Sequence, residues 1–177
     1  MAITDDFREL VEDLSLTEKL VVLIIAYSKK IKNTRLQKLS MIVKATLEGK
    51  TPESHGAYFF GGFSDEVEEG ASALKDEGLL QHETREGFSL SPDGEKIAKI
   101  IEETSSKESE LVSSIVHKFQ PFTDSKLTAF TYVLFPELTT ESVIKEKMNE
   151  LGSSLNLTEF SLEDKDKLKK LRESLVK

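Results

Sequence analysis

Apolar residues recur at helical spacing along most of the chain and at strand spacing in one place. Phe7, Leu10, Val11 and Leu14 predict a short amphipathic helix opening at Thr4, with Asp5 and Asp6 in its first turn. Ser15-Leu16-Thr17-Glu18 reads as a capping box opening a second helix. That helix carries the run Leu20 to Tyr27, apolar on most sides, so a central core helix is expected, with a dimer interface as the alternative. Thr34 opens a third helix with Gln37 in the capping-box position; Leu36, Leu39, Val43 and Leu47 face inward and Gly49 ends it. Residues 50–63 form a loop whose aromatic segment can supply a short strand. Ser64 then caps a helix with the stripe Val67, Ala71, Leu74 and Gly78, the last a left-handed cap. After it the period changes to two. Leu80 and His82 alternate against Phe88 and Leu90 across a turn at residues 84–87.

Ser91-Pro92 starts a further helix through Ile97, Ile100 and Ile101. The stretch Glu102 to Glu110 has no apolar residue; it reads as a surface connection or a solvated helix and is the predicted boundary. Beyond it the pattern is helical. Leu111, Val112, Ile115, Val116 and Phe119 line one face until Pro121; Leu127, Phe130 and Leu134 line the next helix, ending near Pro136. Ile144, Met148 and Leu151 predict another, and Leu168, Leu171 and Leu175 a last, highly charged one. Helix, strand, turn, strand from Ser64 to Leu90 is the order of the recognition helix and wing of a winged helix-turn-helix. The expected class is therefore mostly α (α+β): a winged-helix domain over residues 1–103 with an extra N-terminal helix, then a helical C-terminal extension over 104–177.

Four pieces of the first hundred residues carry a resemblance. Arg35-Leu36-Gln37-Lys38-Leu39 resembles the K/R-LQKL segment of the SocA-like (Panacea) domain and its YwgA-type relatives. Gly61-Gly62-Phe63-Ser64-Asp65-Glu66-Val67 is similar to that family's GP-Y/F-S-x-x-L/V stretch, Leu74, Gly78 and Leu79 to its L-x-x-x-G-L, and Phe88 to Gly94 to its Y/F-x-L-S/T-x-x-G. Gly62 departs from the pattern, which has proline there. The resemblance covers roughly residues 16–103 and implies a winged-helix fold with a regulatory or antitoxin-like role, not a reaction. Leu127 to Ile144 also resembles a stretch that follows such domains in archaeal proteins.

Composition narrows the chemistry. With 177 residues the chain is long enough for a proper core, and with no cysteine it has no disulfide, thiolate metal site or cysteine nucleophile. The 8-residue run Leu20 to Tyr27 is far short of the roughly 20 residues that span a bilayer. Asp5 and Asp6 stand where a cationic leader would be, so a cytoplasmic protein is expected, without membrane association. His55, His82 and His117 have no metal-ligand spacing, Gly61-Gly62 lacks the lysine of a phosphate loop, and no serine sits in a G-x-S-x-G frame. Neither an enzyme nor a cofactor is expected.

Charge is strongly polarised. From Tyr27 to Lys50 seven cations (Lys29, Lys30, Lys32, Arg35, Lys38, Lys44, Lys50) face a single anion, Glu48; from Gly61 to Glu86 eight anions face Lys75 and Arg85. The plain reading is two solvated faces. The sharper one takes Lys29, Lys30, Lys32, Arg35, Lys38, Lys44 and Arg85 as contacts to double-stranded DNA, in a homodimeric transcriptional regulator whose C-terminal helices dimerise. Against it stands the recognition helix itself, with Asp65, Glu66, Glu68, Glu69, Asp76 and Glu77. A carboxylate about 6 Å from a phosphate costs roughly 0.7 kcal/mol even in water-like surroundings. The alternative is a protein-interaction module in which Asp65, Glu66, Glu68, Glu69 and Asp76 dock on a basic partner.

Overall fold

The computed structural model describes residues 2–154, so the helix expected around Leu168, Leu171 and Leu175 lies outside the described residues. Eight α-helices and two small hairpins follow in the order α1 (Ala2–Asp13), α2 (Leu16–Ser28), α3 (Asn33–Glu48), β1 (Gly56–Tyr58), β2 (Gly61–Phe63), α4 (Asp65–Asp76), β3 (Leu80–Glu83), β4 (Gly87–Leu90), α5 (Pro92–Thr104), α6 (Ser106–Phe119), α7 (Asp124–Leu134) and α8 (Lys145–Ser154). A single 3-10 turn, Pro136–Thr139, stands between α7 and α8. The class is α+β and mostly helical. No helix among the described residues is long and apolar enough to cross a membrane.

The helix α2 is the axle. Ser15 and Glu18 close the capping box, and every side chain from Leu20 to Ile25 is fully buried. Each such burial is worth roughly 1.5–3 kcal/mol against exposure, so this one helix anchors the core. The helix α3 does not start where its sequence suggests. It begins at Asn33 with Lys32 as an N-cap that makes no side-chain cap bond. Gln37 does not close a capping box on Thr34; it donates to Ser64 O at 3.0 Å and accepts from Ser64 N at 2.9 Å. The amide thereby ties α3 to the start of α4. Similarly, α1 runs from Ala2, two residues before the expected cap.

Ser64 caps α4, and Gly78, at φ 77°, ends it in the left-handed region where a side chain would be strained. In the following hairpin Leu80 pairs with Leu90 and His82 with Phe88. A third segment joins this sheet: Ile31, between α2 and α3, exchanges both backbone hydrogen bonds with Phe88, at 3.0 and 2.7 Å. Gly87 makes the approach possible, since a Cβ there would collide with the Ile31 carbonyl. The residues of the α2–α3 connection are thus stitched to the hairpin.

The expected boundary at 103/104 falls inside one hydrophobic core, which runs from Val11 to Leu138 and takes in residues of α2, α3, α5, α6 and α7. A single residue, Ser105, separates α5 from α6. Residues 102–110 lack apolar side chains because the one position there that turns fully inward is a serine, Ser109, whose Oγ donates back to Ser105 O at 2.9 Å. Arg35 fastens the next junction, between α6 and α7, to α3. Its guanidinium donates to Phe119 O at 2.6 Å and Phe122 O at 2.8 Å, and pairs with Asp124 at 3.1 Å. Phe119 O, at the last residue of α6, also accepts from Phe122 N at 3.0 Å, so the guanidinium closes over the turn that leaves the helix. Ala129, Tyr132 and Met148 form a smaller cluster between α7 and α8.

Candidate functional site

Of the seven cations expected to face a phosphate backbone, three are turned inward. Lys44 is 8% exposed, and its Nζ donates to Thr17 Oγ1 at 2.8 Å, Ser54 Oγ at 3.0 Å and Glu66 Oε2 at 3.1 Å. Lys38 is 3% exposed and donates to Phe60 O at 2.8 Å and Gly62 O at 3.0 Å. Arg35 is committed to the α6–α7 junction. For Lys38 and Lys44 the physical reason is shared, while Arg35 stands just ahead of the buried stretch and is half-buried. From Leu36 to Thr46 α3 is buried on every face, so a cation on it must find acceptors inside the protein.

The other four stay at the surface: Lys29, Lys30 and Lys32 in the α2–α3 connection, and Arg85 in the hairpin turn. The Ile31–Phe88 pairing brings these segments together, and Lys30 ion-pairs with Glu86 across them. Lys29 has φ 69° and ψ −59°, and Lys30 N donates to Ser28 O at 2.9 Å, which makes a γ-turn of the strained hand. Such a backbone costs about 1–3 kcal/mol in a non-glycine residue. Beside it a shallow groove of about 470 Å³ is bordered by Lys29, Lys30 and Lys99, but also by Glu95 and Glu102. That edge is mixed in sign.

The acids of α4 lie where the sequence puts them. Val67, Gly70, Ala71 and Leu74 face the core, while Asp65, Glu66, Glu68, Glu69, Asp76 and Glu77 are exposed. Two of the six are engaged from neighbouring elements. Glu66 accepts from Thr17 Oγ1 at 2.9 Å and from Lys44, and these bonds hold its carboxyl below the usual carboxylate range. Asp65 accepts from the Tyr58 hydroxyl at 3.0 Å. Among the described residues no ion pair reaches Glu68, Glu69, Asp76 or Glu77.

Sequence reasoning missed two features. The first is the polar cluster around Lys44, which adds Thr17, Ser54 and the buried His55. Burial, followed by the Lys44 ammonium, pushes the His55 imidazole down to about 4. The second is the exposed tip of the β1–β2 hairpin, where a single short strand is expected from the sequence: Tyr58, Phe59 and Phe60 stand out into solvent, the last two at 67% and 60%. Phe59 O accepts from Val143 N at 2.9 Å, which brings the exposed Val143 to the same patch. Three aromatics in a row outside any apolar period were the available signal. Between this hairpin and the start of α3 lies a cavity of about 290 Å³. Gly62 sits at its base, where the resembling pattern has proline; here a Cβ would collide with Met41 Sδ and crowd Leu138. Among the described residues no three His, Asp or Glu side chains gather to hold a metal. His82 is exposed and packs on the Phe88 ring at 4.7 Å. No family model, curated protein or solved structure matches this chain.

Proposed function

We propose that this protein is a non-enzymatic interaction module of winged-helix type that docks a lysine- or arginine-rich segment of a partner protein on the acidic face of α4. The element order supports the winged-helix reading. A buried helix α2, a bridging residue Ile31, helices α3 and α4, and the β3–β4 hairpin follow in the order helix, short strand, helix pair and hairpin that this reading calls for. The usual turn of three or four residues between the paired helices is replaced by residues 49–64 with their own hairpin. Loops of that size in compact domains are commonly functional.

The observation that carries the docking reading is the set Glu68, Glu69, Asp76 and Glu77, exposed and without ion pairs among the described residues, on the helix corresponding to the one that helix-turn-helix proteins lay in the major groove. The exposed Tyr58, Phe59 and Phe60 adjoin that face through the Tyr58–Asp65 hydrogen bond, so an amphipathic basic segment meets both charge and apolar surface. The test is fluorescence anisotropy with a labelled helical peptide of lysine and leucine at about 50 and 200 mM salt. Binding should weaken about tenfold in the double variant Glu68→Lys, Glu69→Lys and hold in Lys30→Glu, Lys32→Glu. Equal binding by both variants would sink the reading.

A second reading is favoured by one observation, the Ile31–Phe88 pairing that joins the segment of Lys29, Lys30 and Lys32 to the hairpin carrying Arg85. A homodimer would then bind duplex DNA along this edge rather than through α4. Lys30→Glu, not Lys38→Glu, is the variant that tests it, because Lys38 is internal. A salt-dependent duplex shift abolished by Lys30→Glu would favour it over protein docking.

A further inference from the structure

Lys38 and Lys44 lie on one helix, both buried, and their surroundings differ in a way that points to a ligand. Lys44 has a carboxylate, Glu66, and two hydroxyls. Lys38 has two neutral backbone carbonyls, Phe60 O and Gly62 O. An ammonium carries three N–H donors, so these acceptors leave one donor unused. No carboxylate stands within ion-pair distance of Lys38 among the described residues. A cation withdrawn from water without a counter-ion is a standing cost, and folds normally remove it by pairing or by an apolar substitution. Here it borders a cavity.

That cavity, about 290 Å³, has Lys38, Asn33 and Thr34 on the α3 side and Tyr58, Phe60 and Phe63 on the hairpin side. Its volume stands at the lower end of the roughly 300–1,000 Å³ of small-molecule sites, and its make-up matches them: aromatic walls with a few polar groups. The two carbonyls that fix the Lys38 ammonium belong to the hairpin that forms the opposite wall, so the charge is held between the walls. We propose that this cavity binds a small monocarboxylate with an apolar, aromatic or branched body, its carboxylate on Lys38 and its body against Tyr58, Phe60 and Phe63. One ammonium between apolar walls suits one negative charge; a phosphate would ask for more donors than this site offers. Burial pushes the Lys38 ammonium down to about 8, which still leaves it charged at neutral pH. The cavity shares Tyr58 and Phe60 with the docking patch but has none of the α4 acids in its lining.

The full chain titrated calorimetrically with 2-naphthoate and with the neutral 2-naphthamide tests the assignment. Naphthoate should bind at least about tenfold tighter than the amide. Lys38→Met should erase that preference and leave amide binding in place. Phe60→Ala, at an exposed ring that the fold does not need, should weaken both probes by about fivefold, and it decides the matter if Lys38→Met fails to fold. Equal affinity for acid and amide, an acid preference that survives Lys38→Met, or no binding of naphthoate at about millimolar concentration would each overturn the proposal. Glu68→Lys should leave naphthoate binding unchanged, which separates this result from the fate of the docking reading.

Discussion

Helices α3 and α4 stand next to each other in the chain with opposite charge, and they place that charge in opposite ways. On α3 the cations Lys38 and Lys44 are buried and bonded to named internal acceptors, while Arg35 reaches across to α6 and α7. On α4 the acids face water, and among the described residues neighbours hold Asp65 and Glu66, in the first turn. The difference comes from how much of each helix the core covers. Eleven successive residues of α3, Leu36 to Thr46, are buried, so a lysine there has no solvent side to take. The helix α4 contributes a single stripe, Val67, Gly70, Ala71 and Leu74, and leaves the rest of its circumference free. A charge run therefore reports a surface only where the apolar pattern of the same helix is confined to one side.

The comparison is sharpest for stability. The largest expected effect is the acid limb of His55, packed against the α3 ammoniums. Its folded pKa is depressed to about 4, against 6.5 for the unfolded chain. Between those values the unfolded chain takes up the proton and the folded one does not. The stability present above pH 6.5 is therefore lost as pH falls toward 4, by about 3 kcal/mol. Urea midpoints measured from pH 7 to 4.5 should show this slope, and His55→Leu should flatten it. Glu66, whose pKa is lowered, contributes in a lower window, below 4.5, so the two are separable. Next comes Lys44→Met. It strands Thr17, Ser54 and Glu66 and should cost about 2–3 kcal/mol. A cost no larger than that of Glu68→Met would break the contrast between the helices.

How legible this was differs element by element. The α4 helix and the hairpin after it rest on local signals, a serine cap, a one-sided stripe, a glycine stop and a period-two run. Helix limits and the Leu80–Leu90 and His82–Phe88 register follow from them. The α5–α6 junction was not legible, because Ser109 is buried and polar, so no apolar period marks the helix restarting. The fate of Lys38 and Lys44 was half legible. Leu39, Met41, Ile42, Val43 and Ala45 surround the direction of Lys38 on the helix, but leave a sector of about 160° that holds Ser40 and Lys44. What no local pattern holds is the identity of the acceptors. Thr17 lies 27 residues from Lys44, and Gly62 24 residues from Lys38.

Lys38→Met then tests the buried charge from the other direction. The substitution removes two hydrogen bonds worth about 1 kcal/mol each and also removes the burial of an uncompensated cation. The two effects offset, and the unfolding free energy should move by no more than about 1 kcal/mol in either direction. A loss of the size expected for Lys44→Met would mean that Lys38 is a structural pair like its neighbour and not a charge kept for a ligand.

The smallest stability effect is expected on α4. Glu68→Gln with Glu69→Gln should shift the unfolding free energy by less than about 0.5 kcal/mol, because no ion pair is lost and both side chains are already hydrated. The same double variant should lose most of the anisotropy change with the basic peptide at about 50 mM salt, where the field of the remaining acids is least screened. Binding that is unchanged while stability is unchanged would make the α4 acids a plain solvated face. A helix whose charges serve only to keep it soluble has no reason to respond in either measurement. One that docks a cationic partner must respond in the second and not in the first.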